Sequence, residues 1–177
     1  AVLADGLTTP LGCTTFSGAV GAAKVLIDAG AAMEGGRISA LCCAVRVNGS
    51  RDVMDVLLER GASIETRDHG GQTPLHHAAG AVLDIASLDT HMAKFLLDRG
   101  ANVNAKDHLG QAPTHIAALA GWREMIELLL SRGAAVDARN GEGETPLHCA
   151  AKCGQVPVAE ALLKGGADPL LRTFDGS

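Results

Sequence analysis

Few residues in this chain have the type and spacing for chemistry. Cys149 and Cys153 stand one helical turn apart with His148 adjacent to the first. Two sulfurs and an imidazole gathered on one helix are the donor types that hold zinc. Cys43 and His77 offer a second arrangement, a thiol with a base of the kind that makes a covalent nucleophile. Packing explains both better. Cys149 holds the same place in a recurring pattern as Cys13, Cys43, His77 and Ile116, a set that shares bulk but no reactivity. Positions equivalent to 43 and 77 fall on adjacent helices about 10 Å apart, too far for a nucleophile and its base. Cys153 is expected on a concave, solvent-facing surface, yet nothing near it in sequence lowers a thiol pKa. The phosphate-cradling, nucleophile-elbow and zinc-protease patterns do not occur. The sequence thus assigns no catalytic residue, no cofactor and no metal ligand.

Composition narrows the alternatives. The 177 residues carry a net charge of −5 with 47% hydrophobic and 20% charged residues, the balance of a globular protein rather than a disordered or fibrous one. Three Phe, one Trp and no Tyr leave a core built from Ala, Leu, Val and Ile, so helices must approach closely. The mild acidity and missing aromatic platforms argue against a nucleic-acid partner. The longest uncharged stretch, Gly6 to Ala23, contains Thr8, Thr9, Thr14, Thr15, Ser17 and four glycines, which does not suit membrane insertion. Five cysteines, with Cys42 and Cys43 adjacent, make a poor disulfide framework. They are expected to be reduced, buried thiols of an intracellular protein of the cytoplasm or nucleus.

The elements that position these residues come from an internal repeat. Thr73-Pro74-Leu75-His76 returns as Thr145-Pro146-Leu147-His148 and, altered, as Ala112-Pro113-Thr114-His115, with fainter echoes at Thr9-Pro10-Leu11-Gly12 and Ser39-Ala40-Leu41-Cys42. A Gly-Ala pair follows each one at 30, 61, 100, 133 and 166. The interval from tetrapeptide to Gly is 21 positions in the first, fourth and fifth units, one longer in the second and six longer in the third. Each marker has a physical role. Thr before Pro starts a helix, the hydroxyl capping exposed amides and Pro occupying a site that needs no N–H. His three places on is placed to bridge backbone groups of neighbouring repeats. The pairs Ala78-Ala79, Ala117-Ala118 and Ala150-Ala151 leave room for another helix, and Gly ends the second helix in a left-handed turn.

These residues resemble the ankyrin repeat, whose period of roughly 33 residues and T-P-L-H-x-A pattern carry the match. The resemblance implies an all-α solenoid of helix pairs with short hairpin loops, and protein binding rather than catalysis. The whole chain, 1–177, reads as one array with units near 5–34, 35–67, 68–106, 107–139 and 140–172, residues 173–177 beginning a further repeat. Because end repeats of a solenoid present a polar outer face, the reading implies a piece of a longer chain.

The expected function is a non-catalytic interaction module that holds another protein or peptide against its concave groove and loop fingers. A structural spacer within a longer protein is the rival, and a Cys/His metal or thiol site a remoter one. Arg67, Lys106, Arg139 and Arg172 form a basic column one place ahead of the usual loop Asp, expected to project from the edge and to be dispensable for stacking. His69, His108 and Phe174 lie at loop tips, with Gly141 in the same register. Phe16, Ser17, Arg46, Val47, Leu119, Ala120, Lys152 and Cys153 are expected on the concave surface. Trp122, the only Trp, follows Gly121 between two helices, where partial exposure would make it an interface anchor and burial a cap over the turn. The extra residues of unit three fall within 80–91 and are expected to lengthen a helix and turn at Ser87 to Thr90, with Asp89 or Thr90 capping the next.

Overall fold

The computed structural model describes residues 9–34, 38–46, 51–80, 90–174 and 176, and among them the chain forms ten short helices and no strand. The helices come in five pairs: α1 (Pro10–Ser17) with α2 (Val20–Asp28), α3 (Ala40–Arg46) with α4 (Arg51–Glu59), α5 (Pro74–Gly80) with α6 (His91–Asp98), α7 (Pro113–Ala120) with α8 (Arg123–Ser131), and α9 (Pro146–Lys152) with α10 (Val156–Lys164). First helices stack in sequence from α1 to α9, while α2 packs on α4 and α8 on α10. This is the solenoid that the repeat predicts.

Local chemistry at the tetrapeptide sets the start of each first helix. In unit three the Thr73 amide donates to His76 Nδ1 at 3.1 Å, and His76 Nε2 lies 3.0 Å from the Gln111 carbonyl in the next loop. His115 repeats this between the Ala112 amide and the Glu144 carbonyl, at 3.1 Å for each contact. With Nδ1 accepting, the proton belongs on Nε2, which donates across the repeat boundary. His148 keeps the intrarepeat half, its Nδ1 3.2 Å from the Thr145 amide.

Departures from the tetrapeptide are absorbed in different ways. In unit one Thr9 caps the Gly12 amide at 3.1 Å, and the hydroxyls of Thr14 and Thr15 bond back to the Leu11 and Gly12 carbonyls at 2.7 and 2.6 Å, the usual outlet for such groups inside a helix. Ser39 caps the Cys42 amide at 3.2 Å. Unit four has no such remedy. Ala112 provides no capping hydroxyl, and Thr114, standing where units three and five have Leu75 and Leu147, is buried with its Oγ1 unpartnered.

Second helices close the same way throughout. Gly30, Gly61, Gly100, Gly133 and Gly166 have φ between 84° and 93°, and the following Ala amide bonds back to Leu26, Leu57, Leu96, Leu129 and Leu162 at 2.9–3.0 Å. A side chain at these glycines would force a left-handed conformation that L-residues adopt only at a cost. Leu57, Leu96, Leu129 and Leu162 are fully buried in one continuous core. Ala78, Ala79, Ala117, Ala118 and Ala150 are buried between first helices as expected, whereas Ala151 is exposed. Arg60 with Asp28, Arg99 with Asp55, and Arg132 with Asp98 pair across successive second helices.

Three expectations on placement change. Cys42, Cys43 and Cys149 are buried, but Cys13 and Cys153 are exposed, so the thiols are not uniformly core residues. Trp122 is 3% exposed and joins the core at the N-cap of α8, which fits a cap over the turn rather than a partly exposed anchor. Thr90 stands at the N-cap of α6 but makes no side-chain capping bond. The insertion at 81–89 with Asp89, the side chain of Phe16, and Val47 lie outside the described residues, as do Asp175 and Ser177 in the last loop.

Candidate functional site

The loops between helix pairs are built by an Asp or Asn at a fixed place. Asp107 Oδ1 accepts the Leu109 and Gln111 amides at 2.9 and 2.8 Å, Asn140 does the same for Glu142 and Glu144 at 3.0 and 2.9 Å, and Asp68 for Gly70 and Gln72 at 2.9 Å each. Each side chain folds its loop into a compact finger. Successive fingers then join by one backbone bond apiece: the His108 amide to the Gly70 carbonyl at 2.9 Å, Gly141 to Leu109 at 2.8 Å, and Phe174 to Glu142 at 3.1 Å. That ladder establishes the register. His108, Gly141 and Phe174 are equivalent, and so are Gly70, Leu109 and Glu142.

The basic column is engaged rather than free. Arg67 Nη1 donates to the Gly71 carbonyl at 2.8 Å and to the Lys106 carbonyl at 2.7 Å; Lys106 Nζ donates to the Arg139 carbonyl at 2.9 Å; Arg139 Nη1 donates to Gly143 and Arg172 carbonyls at 3.3 and 2.8 Å. Arg172 ends the series on the Gly176 carbonyl at 3.1 Å. Each cation before the last therefore reaches the backbone of the next basic residue along the edge. The column was expected to project free of the stack; its side chains instead join one finger to the next. At the tips, His69 is exposed, and His108 lies across the preceding finger, its Cδ2 2.4 Å from where a Cβ on Gly71 would stand. Phe174 is 70% exposed, with the Arg139 guanidinium 5.6 Å from its ring centroid.

Between units four and five the inner sides of the fingers and the ends of α7 and α9 enclose a groove of about 830 Å³. Four of the expected binding residues, Lys106, His108, Leu119 and Lys152, line it, and so does Cys153. Arg67, His69, Arg139, Phe174 and Trp122 are not part of this lining. Leu109, Glu142 and Glu144 are, and sequence reasoning passed over them. The signal was available in the repeat register, because Leu109 and Glu142 share a finger position and Leu119 and Lys152 a helix position, each pair 33 residues apart. Leu109 is 69% exposed and Leu119 37%. Lys152 Nζ bonds Glu144 Oε1 at 2.9 Å, and Glu144 Oε2 accepts from Asn140 at 3.1 Å. Those hydrogen bonds, Lys152 first and Asn140 second, hold the Glu144 carboxyl below the usual range.

The Cys and His candidates sit in surroundings that suit packing. Burial pushes the Cys149 thiol up to about 11 and Cys42 up to about 12, and raises Cys43 as well. Thiols so shifted are protonated at neutral pH, whereas nucleophiles and metal ligands are thiolates. His77 Nε2 lies 3.0 Å from Asp68 Oδ2, so its nearest charged neighbour is a finger carboxylate. Among the described residues no group of three or more His, Cys, Asp or Glu is placed to hold a metal ion, and no helix is long and apolar enough to cross a membrane.

A family model of ankyrin repeats, three copies long, matches residues 11–107 and 82–173. The chain belongs to the ankyrin repeat family. Proteins of this family generally mediate protein–protein interaction, and their repeat domains are typically non-catalytic. No curated protein matches the chain in sequence.

Proposed function

We propose that the five units act as one array that binds a protein or peptide through its concave side, with the groove between units four and five as the principal contact. The observation that carries this is the exposure of Leu109 and Leu119 on the lining of that groove. Neither leucine side chain belongs to the core, and exposed apolar side chains framed by polar residues are what a partner can desolvate. Lys106, His108 and Lys152 form part of the polar frame, while Arg67, Arg139, His69 and Phe174 belong to the outer edge and tips. Trp122 is buried at the turn before α8 and stands outside the groove lining. Five cysteines that form no disulfide support a reducing compartment, cytoplasm or nucleus.

Affinity capture with wild type, Leu119→Asp and Glu124→Lys tests the reading, Glu124 being an exposed residue of α8 outside the groove lining. Proteins retained by wild type and Glu124→Lys but lost from Leu119→Asp are expected. Retention by all three would reject the groove.

A further inference from the structure

The groove repeats its framework but not its chemistry. At the finger position fixed by the backbone ladder, the residue changes from Gly70 to Leu109 to Glu142, and at the end of the first helix from Gly80 to Leu119 to Lys152. Unit three thus offers little beyond backbone, unit four two leucines, and unit five charge. Lys106 is directed to the Arg139 carbonyl, and Lys152 and Glu144 satisfy each other at 2.9 Å. Glu142 is exposed and has no ion-pair partner among the described residues. One apolar step therefore adjoins one open carboxylate, a single repeat further along.

On the reading that this groove is the binding site, we infer that its partner is a polypeptide segment that presents an aliphatic side chain to Leu109 and Leu119 and a Lys or Arg to Glu142. Adjacent repeats are about 10 Å apart. In an extended three-fold segment, side chains three residues apart share a face at about 9 Å; in a helix, residues seven apart do so at about 10.5 Å. Strand alternation gives about 6.6 or 13 Å on one face, which misses the step. The cation rule also departs from the acidic partner that the basic edge column suggests, because Arg67, Lys106 and Arg139 are occupied with finger carbonyls, and of these three only Lys106 reaches the groove lining.

Selection from a displayed library of random 12-residue peptides tests this directly and requires no identified partner. Wild type should enrich an aliphatic residue followed by Lys or Arg at a spacing of three or seven. Glu142→Lys should weaken a selected peptide about tenfold, with a loss that shrinks as salt rises, and repeated selection on that variant should favour Asp or Glu at the same spacing. Leu119→Asp, and the milder Leu119→Ser, should abolish binding of the wild-type selection while unfolding as cooperatively as the parent. Peptides indifferent to both Leu119 changes would reject the groove itself. Peptides lost with Leu119 changes yet indifferent to Glu142→Lys, or enriched without a basic residue, would leave the groove standing and overturn the inference about charge.

Discussion

Two surfaces of this array carry exposed charges and use them differently. Along the edge, Arg67, Lys106 and Arg139 each donate to a carbonyl of the following finger at 2.7–2.9 Å. In the groove, Glu142 forms no ion pair among the described residues, its neighbouring cation Lys152 being bonded to Glu144 at 2.9 Å, and Leu109 and Leu119 stand exposed on the same lining. Exposure alone does not distinguish them. What does is the fate of the polar atoms: the edge spends them on the stack, and the groove leaves its step open for recognition. Substitutions should follow that division.

The core sets the scale. Leu129→Ala or Leu162→Ala removes a fully buried side chain and should destabilise by about 2–5 kcal/mol in urea unfolding. Loss of all three edge staples, Arg67→Ala with Lys106→Ala and Arg139→Ala, should cost about 1–3 kcal/mol in total, since each exposed bond contributes at the low end of about 0.5–1.5 kcal/mol. A neutral triple change would erase the distinction between the two surfaces.

Acid should loosen the same edge. Burial lowers the pKa of His76, His77 and His115 below the ordinary 6.5, so the unfolded chain binds protons that the folded chain refuses. Their contribution is fully present above about pH 6.5 and falls as the pH drops below it. Since His76 and His115 also donate to finger carbonyls, finger amides should lose protection, relative to their intrinsic exchange rate at each pH, between about pH 6.5 and 5 before the second helices do. An unfolding midpoint independent of pH across that window would contradict it.

The repeat made the fold legible, because two markers in phase assign each first-helix start and each second-helix stop to a known local device. Unit four departs from the pattern as well: Ala112 and Thr114 stand where Thr and Leu belong, and the structure shows a missing cap and an orphaned hydroxyl. Ala112→Thr with Thr114→Leu should therefore stabilise by about 1–2 kcal/mol, by restoring the cap and removing the unpaired group. Other features were not legible for a common reason. The acceptors of Arg67, Lys106 and Arg139 are backbone carbonyls, which every residue has and no sequence singles out. The burial of Trp122 depends on packing around the turn before α8. Leu109 carries no marker of its own in the sequence; the finger register pairs it with Glu142, and both line the groove with Leu119.

The smallest expected effect is in the groove. Leu109→Ser and Glu142→Gln alter exposed finger side chains and should each change stability by less than about 0.5 kcal/mol. Urea unfolding of the edge triple variant beside the Leu109→Ser/Glu142→Gln double variant, under one set of conditions, tests the account most directly. It predicts a loss of about 1–3 kcal/mol for the edge and essentially none for the groove. Equal losses, or a groove variant less stable than the edge variant, would contradict the separation of stacking from recognition.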